Sequence, residues 1–120
     1  MLSMTAKHKV YLAIQAVDFR KGIDGFCALC SEQLSLDPFS GHYFIFRNKK
    51  ASSIKVLAYD SQGFWLCQKR LSKGTFRYWP KHPSSLVLLT ATQLQVLLQN
   101  GNPASLDEAC SWHSITNDSS

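Results

Sequence analysis

The chain has 120 residues, of which 45% are hydrophobic and 18% charged, with a formal charge of +5. A chain of this length is expected to form one domain that hides roughly two thirds of its unfolded surface, and no apolar run approaches the roughly 20 residues that span a bilayer. The first ten residues, MLSMTAKHKV, lack the apolar stretch of a secretory signal, so a cytoplasmic location is expected.

Val10-Tyr11-Leu12-Ala13-Ile14 is an apolar run of strand formers and predicts a first strand. Ile23, Phe26, Cys27, Cys30 and Leu34 then recur at the spacing that lines one side of a helix. That helix is predicted over about 18–36, with Asp18 as a candidate cap for the first free N–H groups. Gly22 and Gly25 weaken it, or permit another backbone to come close. Leu36-Asp37-Pro38 ends it, because the residue before proline is pushed out of helical geometry. Tyr43-Phe44-Ile45-Phe46 predicts a second strand, residues 54–59 a third and residues 64–69 a fourth. Arg47-Asn48-Lys49-Lys50-Ala51-Ser52 is the basic loop between the second and third.

Asp60-Ser61-Gln62-Gly63 is a hairpin turn. A two-residue loop at Ser61-Gln62 pairs Tyr59 with Phe64, Leu57 with Leu66 and Lys55 with Gln68. One more loop residue exchanges the faces of one strand. Residues 75–80 suggest a short fifth strand ended by Pro80, and residues 86–89 a further extended piece. Thr90-Ala91-Thr92-Gln93 fits a capping box ahead of a helix over about 91–99, with Gly101 as terminator. The expected architecture is α+β: a mainly antiparallel sheet of four or five strands packed against one principal helix, with a short second helix. Residues 1–100 are expected to form the compact domain. Residues 101–120 form a weakly ordered acidic polar tail in which Trp112 and Ile115 are available to dock.

Charge is unevenly spread. All 13 Lys and Arg lie between Lys7 and Lys81 with five acidic residues, a balance of +8, whereas the chain beyond Lys81 carries no Lys or Arg and a balance of −3. A basic body attracts polyanions such as nucleic acid, although a solvated basic surface has the same composition. Arg47, Lys49 and Lys50 share one loop, and Lys69, Arg70, Lys73 and Arg77 lie on and after the fourth strand. In a meander both groups meet at one edge of the sheet, with Lys55 on the strand between. Phosphate contacts of this kind supply affinity without sequence information. The aromatics among them, Tyr59, Trp65, Phe76, Tyr78 and Trp79, either stack on unpaired bases or belong to the core. Tyr78 and Trp79 are the candidates for stacking.

Chemistry is harder to find. Cys27-x-x-Cys30 has no second pair to complete a zinc site, and both cysteines fall on the apolar stripe, where thiols pack as small hydrophobes. Asp18, Asp24, Asp37 and Asp60 are candidates for a magnesium cluster, but Asp18, Asp37 and Asp60 each sit at a cap or turn. No metalloprotease or phosphate-loop motif is present. No catalytic residue, metal or cofactor is therefore expected, and no small-molecule substrate. Arg20, Lys21 and Asp24, near the helix start, form a candidate partner-binding patch; Trp65, Tyr78 and Trp79 suit a protein interface equally well.

Read in order, these motifs resemble the TnpB family, the second-open-reading-frame accessory proteins of the insertion-sequence sixty-six class of bacterial transposable elements. The family pattern D-M-R-K-G-x-D-G-L is matched by Asp18-Phe19-Arg20-Lys21-Gly22-Ile23-Asp24-Gly25-Phe26, and D-P-x-S-G-x-x-F-x-F by residues 37–46. R-x-[KR] corresponds to Arg47-Asn48-Lys49, and K-x-L to Lys55-Val56-Leu57. D-G-x-G-F corresponds to residues 60–64, and K-R-L-E-x-G-x-F-x-W-P to residues 69–80. The similarity covers about residues 10–100. Departures are Phe19 for Met, Ala58-Tyr59 for an aromatic and Trp, Ser61 for Gly, Ser72 for Glu, one extra residue between Phe76 and Trp79, and the tail.

The resemblance implies a non-catalytic role in DNA transposition beside a separate transposase, in the cytoplasm at the nucleoid. The basic groups are then expected to hold element-end DNA, the transposase, or both. The alternatives are a protein-interaction module without DNA contact, a decayed or host-reused transposon copy, and a metal-dependent nuclease.

Overall fold

The computed structural model describes residues 8–105. Its centre is a five-stranded sheet in the order β4-β3-β2-β1-β5. The strands are β1 (Val10–Ala13), β2 (Tyr43–Arg47), β3 (Ser53–Tyr59), β4 (Phe64–Arg70) and β5 (Leu86–Leu89). All neighbours run antiparallel except β1 and β2, which are parallel. A parallel pair needs a crossover, and residues 14–42 supply it. The crossover contains α1 (Ile23–Ala28), a π-helical turn (Leu29–Gln33) and a 3₁₀ turn (Pro38–Ser40).

The central strands are mostly apolar on both faces because the sheet is covered on both sides. Along β2, Phe44 and Phe46 face α1 and pack with Phe26, Leu29, Cys30 and Leu57. Tyr43 and Ile45 face the other way and pack with Ile54, Ala58, Leu94 and Leu97, under α2 (Ala91–Leu98) and the strap around Phe76 and Trp79. The α+β expectation therefore holds, with one refinement. The second helix covers the opposite face from the first, so one sheet separates two cores.

Helix ends depart from the sequence reading in instructive ways. The first helix begins at Ile23 with Gly22 as N-cap and no side-chain cap. Asp18 is not the cap. Its carboxylate accepts instead from the Arg20 backbone N–H at 2.9 Å and from the Arg20 guanidinium. At the far end the π turn closes through Leu34 N–H to Leu29 C=O, an i to i−5 bond at 3.2 Å. The 3₁₀ turn is capped by Asp37, whose Oδ1 accepts from Phe39 N–H at 2.9 Å. It then exits through Gly41 at φ +87°, where any Cβ would be strained.

The second helix follows its signals closely. Thr90 and Gln93 form the full capping box. Asn100 takes the left-handed conformation at φ 62°, donating to Leu97 C=O while Gly101 N–H reaches Val96 C=O. That pair of bonds is the Schellman motif with Asn at C′. Gly101 is needed next to it because a Cβ there would meet Val96 Cγ1 at 2.8 Å.

The hairpin adopts the two-residue loop, pairing Tyr59 with Phe64, Leu57 with Leu66 and Lys55 with Gln68. Residues 75–80 are not a strand. They run as an irregular strap that drops Phe76 into the core and anchors the Trp79 indole to Ala13 C=O and Ile14 C=O at 3.1 Å each. The fifth strand is β5, added beside β1. Of the expected tail, residues 103–105 form a 3₁₀ turn whose Pro103 C=O accepts from buried Gln93 Nε2 at 3.3 Å. Trp112 and Ile115 lie outside the described residues.

Candidate nucleic-acid interface

The basic loop 48–52 owes its shape to Asn48. Its Oδ1 accepts from Ser52 N–H and Ser53 N–H at 2.9 and 3.1 Å, and its Nδ2 donates to Ser52 Oγ at 3.0 Å. Ala51 sits at φ 56° to complete the bend. This closed ring of hydrogen bonds presents Lys49 and Lys50 at the rim of the sheet, both exposed.

The end of β4 is fixed beside that loop. Ser53 pairs with Arg70 in the ladder, Leu71 N–H reaches Ser52 C=O at 2.9 Å, and Phe76 N–H reaches Ala51 C=O at 2.7 Å. The segment before α1 is held to the same end by Val17 N–H on Arg47 C=O at 2.9 Å. Lys55 Nζ holds it from below, donating to Phe19 C=O at 3.1 Å and lying 5.1 and 5.3 Å from the Phe19 and Phe26 ring centres.

The result is an open groove of about 710 Å³ whose wall carries Arg20, Lys49, Lys50 and Arg70, with Asp18 as the only carboxylate among the described residues that line it. Arg20 clamps Asp18 through its Nε and an Nη2 contact at 2.9 Å. Those hydrogen bonds hold the Asp18 carboxyl down at about 2, and the charges of Arg20 and Lys21 act in the same direction. Arg20 is still largely open to solvent and lines the groove, with the ionised Asp18 offsetting part of its charge.

The remaining cations take other positions. Lys55 is the strut beneath Phe19 just described. Lys69 points to the opposite face, where its Nζ bonds the Leu98 C=O at the end of α2, a favourable place for a cation. Arg47 lies on that face too, its guanidinium 6.0 Å from the Trp79 ring centre; its Nε is buried with no hydrogen-bond partner among the described residues. With Arg77, Lys81 and His82 it lines a smaller hollow of about 340 Å³. Arg77 stands 5.8 Å from the exposed Tyr78 ring, and Lys73 projects from an exposed loop. The sheet thus places Arg47, Lys49, Lys50, Lys69 and Arg70 at one end and divides them between its two faces.

Of the partner-patch residues, Arg20 enters the groove, while Lys21 and Asp24 remain exposed beside it at the start of α1. Sequence reasoning missed the place of Asp18 and Arg20 in the groove because they line it together with loop 48–52 only through the fold. It also passed over Asn48, although an Asn at a basic turn is a recognisable signal for this kind of closure. Among the described residues, the other carboxylates are spread apart. Asp60 accepts from the Trp65 indole at 2.8 Å and from Gln62 and Gly63 N–H, which hold its carboxyl below the usual value. Cys30 is fully buried against Phe26 and its neighbours, and burial pushes its thiol up to about 12. Among the described residues, no three His, Cys, Asp or Glu side chains gather in a metal-binding arrangement, and no helix is long and apolar enough to cross a membrane.

Fold and site define a small α+β protein with a two-sided sheet and an open cationic groove at one end of it. Comparison with known proteins gives the family: residues 8–107 match the IS66 Orf2-like proteins, and the chain belongs to that TnpB family. Membership assigns it to the accessory proteins of IS66 transposable elements. An uncharacterized protein of Sinorhizobium fredii, y4hO, is 34% identical over 98 residues, covering 82% of this chain and 84% of the relative. A second from the same organism, y4jC, is 35% identical over 78 residues, covering 65% and 67%. No solved structure matches the chain significantly.

Proposed function

We propose that this protein is a non-catalytic accessory factor of transposition that holds element-end DNA in the groove of Arg20, Lys49, Lys50 and Arg70, at the nucleoid and alongside the separate transposase. The observation that supports this reading is the groove itself: four cations on backbone that hydrogen bonds fix in place, with one carboxylate already clamped by Arg20. The fixed backbone sets where these cations stand, and each phosphate they neutralise releases counterions.

The test is a fluorescence-anisotropy titration of terminal-repeat duplex across 50–200 mM salt. A groove that neutralises three or four phosphates gives a slope of log K on log salt near −3, at about −0.9 per phosphate. Reversing two charges, Lys50→Glu with Arg70→Glu, should weaken binding at least tenfold and flatten that slope by about 2. Salt-independent binding, or an unaltered double variant, removes the groove from the reading.

The second reading is contact with the transposase alone. It draws on the opposite end of the sheet, where Phe39 packs on Tyr59 and Phe64 with ring centres 5.0 and 5.1 Å away, while Phe39 and Trp65 stay 59% and 43% exposed. Aromatics so placed suit a protein interface. Co-purification with the transposase before and after nuclease treatment separates protein contact from tethering by DNA.

A further inference from the structure

We infer that the open edge of β4 is a self-association surface, on which a second copy of this chain pairs its own β4 antiparallel about Cys67. The inference is independent of DNA contact.

β4 is the outer strand of the sheet and, with β3, the longest at seven residues; β5, at the other border, has four. It contains no proline, and every residue from Phe64 to Arg70 is in register with β3, so no bulge interrupts it. Edge strands are commonly blunted by such features.

The ladder says which groups are free of partners among the described residues. Asp60 N–H bonds Gly63 C=O and Leu71 N–H bonds Ser52 C=O, both in register with the β3–β4 ladder. In an antiparallel pair the bonded positions alternate, so odd-numbered residues 63–71 direct their backbone groups at β3. The even-numbered Phe64, Leu66, Gln68 and Arg70 direct theirs outward.

The side chains then choose the partner and the direction. The first residues of β4 are aromatic, Phe64-Trp65, and the last are cationic, Lys69-Arg70, with Cys67 at the midpoint. Antiparallel pairing about Cys67 sets Phe64 opposite Arg70 of the second copy, the cation beside the ring, and Trp65 opposite Lys69, whose amine stays on Leu98 C=O. It separates the two Arg70 side chains by roughly 20 Å along the strand, well beyond the screening length of about 8 Å. Parallel pairing would instead set like charges side by side. The two Cys67 residues meet at a non-bonded position, where Cα atoms are about 4.5 Å apart and a disulfide can close. The dyad stands perpendicular to the sheet, so the two grooves open on the same face of a continuous ten-stranded sheet.

Light scattering on the full chain at about 100 μM should give twice the monomer mass of 13.5 kDa, falling to the monomer near 1 μM, as a short edge contact implies. Gln68→Pro removes one outward N–H and no bond to β3, so it should remain monomeric at about 100 μM. A second readout is independent of that variant's folding. With Cys110, the fourth cysteine of the chain, replaced by Ser, diamide takes two electrons and two protons from a pair of thiols, giving a Cys67–Cys67 disulfide and the reduced, hydrazine form of diamide; Cys67→Ser should abolish this crosslinked dimer. A wild-type chain that is monomeric at about 100 μM, a dimer that survives Gln68→Pro, or a crosslink that survives Cys67→Ser overturns the inference.

Discussion

Asp18 carries the clearest consequence for the groove. Its carboxyl is held at about 2 by bonds from Arg20, so it stays charged through the physiological range. A carboxyl depressed on folding stabilises the folded state fully above its ordinary value near 3.8, and that contribution is lost as pH falls from there to about 2. Above that window Asp18 also subtracts one charge from the groove and occupies Arg20. Asp18→Asn should therefore tighten DNA binding roughly fivefold at neutral pH, the scale of one unit charge a few ångströms from a phosphate in water. The same titration with the variant checks it; unchanged or weaker binding would mean that phosphates do not approach Arg20. Lys55 and Lys69 illustrate the limit of reading charge from sequence. Both look like surface cations, yet one supports Phe19 and the other a helix end.

Among the elements, α2 is held by local bonds that can be tested singly. Thr90 Oγ1 accepts from Gln93 N–H at 3.1 Å while Gln93 Oε1 accepts from Thr90 N–H at 3.0 Å. Thr90→Ala should cost about 1 kcal/mol, measured as a shift in the urea midpoint without a change in slope. Gln93 also reaches Pro103 C=O, so this one side chain ties the helix start to the segment that follows the helix. The capping box was legible because it is local, spanning four residues. The start of α1 was not, because Asp18 has two possible acceptor roles and only the position of Arg20 decides between them. The π turn left no signal in the periodicity, since Phe26, Leu29, Cys30 and Leu34 fit an α-helical stripe equally well.

For the molecule as a whole, two cores share one sheet. Phe26 and Leu97 are both fully buried, on opposite faces. Phe26→Ala should cost about 3–5 kcal/mol and Leu97→Ala about 2–5 kcal/mol. Because β1, β2 and β3 line both cores, each variant should unfold in a single transition monitored by tryptophan fluorescence and circular dichroism together. Separate transitions for the two signals would show that the helical layers are independent of one another.

The amino-acid sequence by itself determined the places of β1 to β4, the hairpin turn, the capped second helix and the family, because apolar periodicity, turn residues and ordered motifs are local patterns. It also concentrated the cations between Lys7 and Lys81. Only the tertiary structure decided which of them share a surface. The parallel β1–β2 pairing carries the crossover back across the sheet, and Val17 and Lys55 then hold Asp18 and Arg20 beside Lys49, Lys50 and Arg70. The physical reason is distance along the chain: Lys55 and Phe19 are 36 residues apart, and no local propensity encodes a contact of that span.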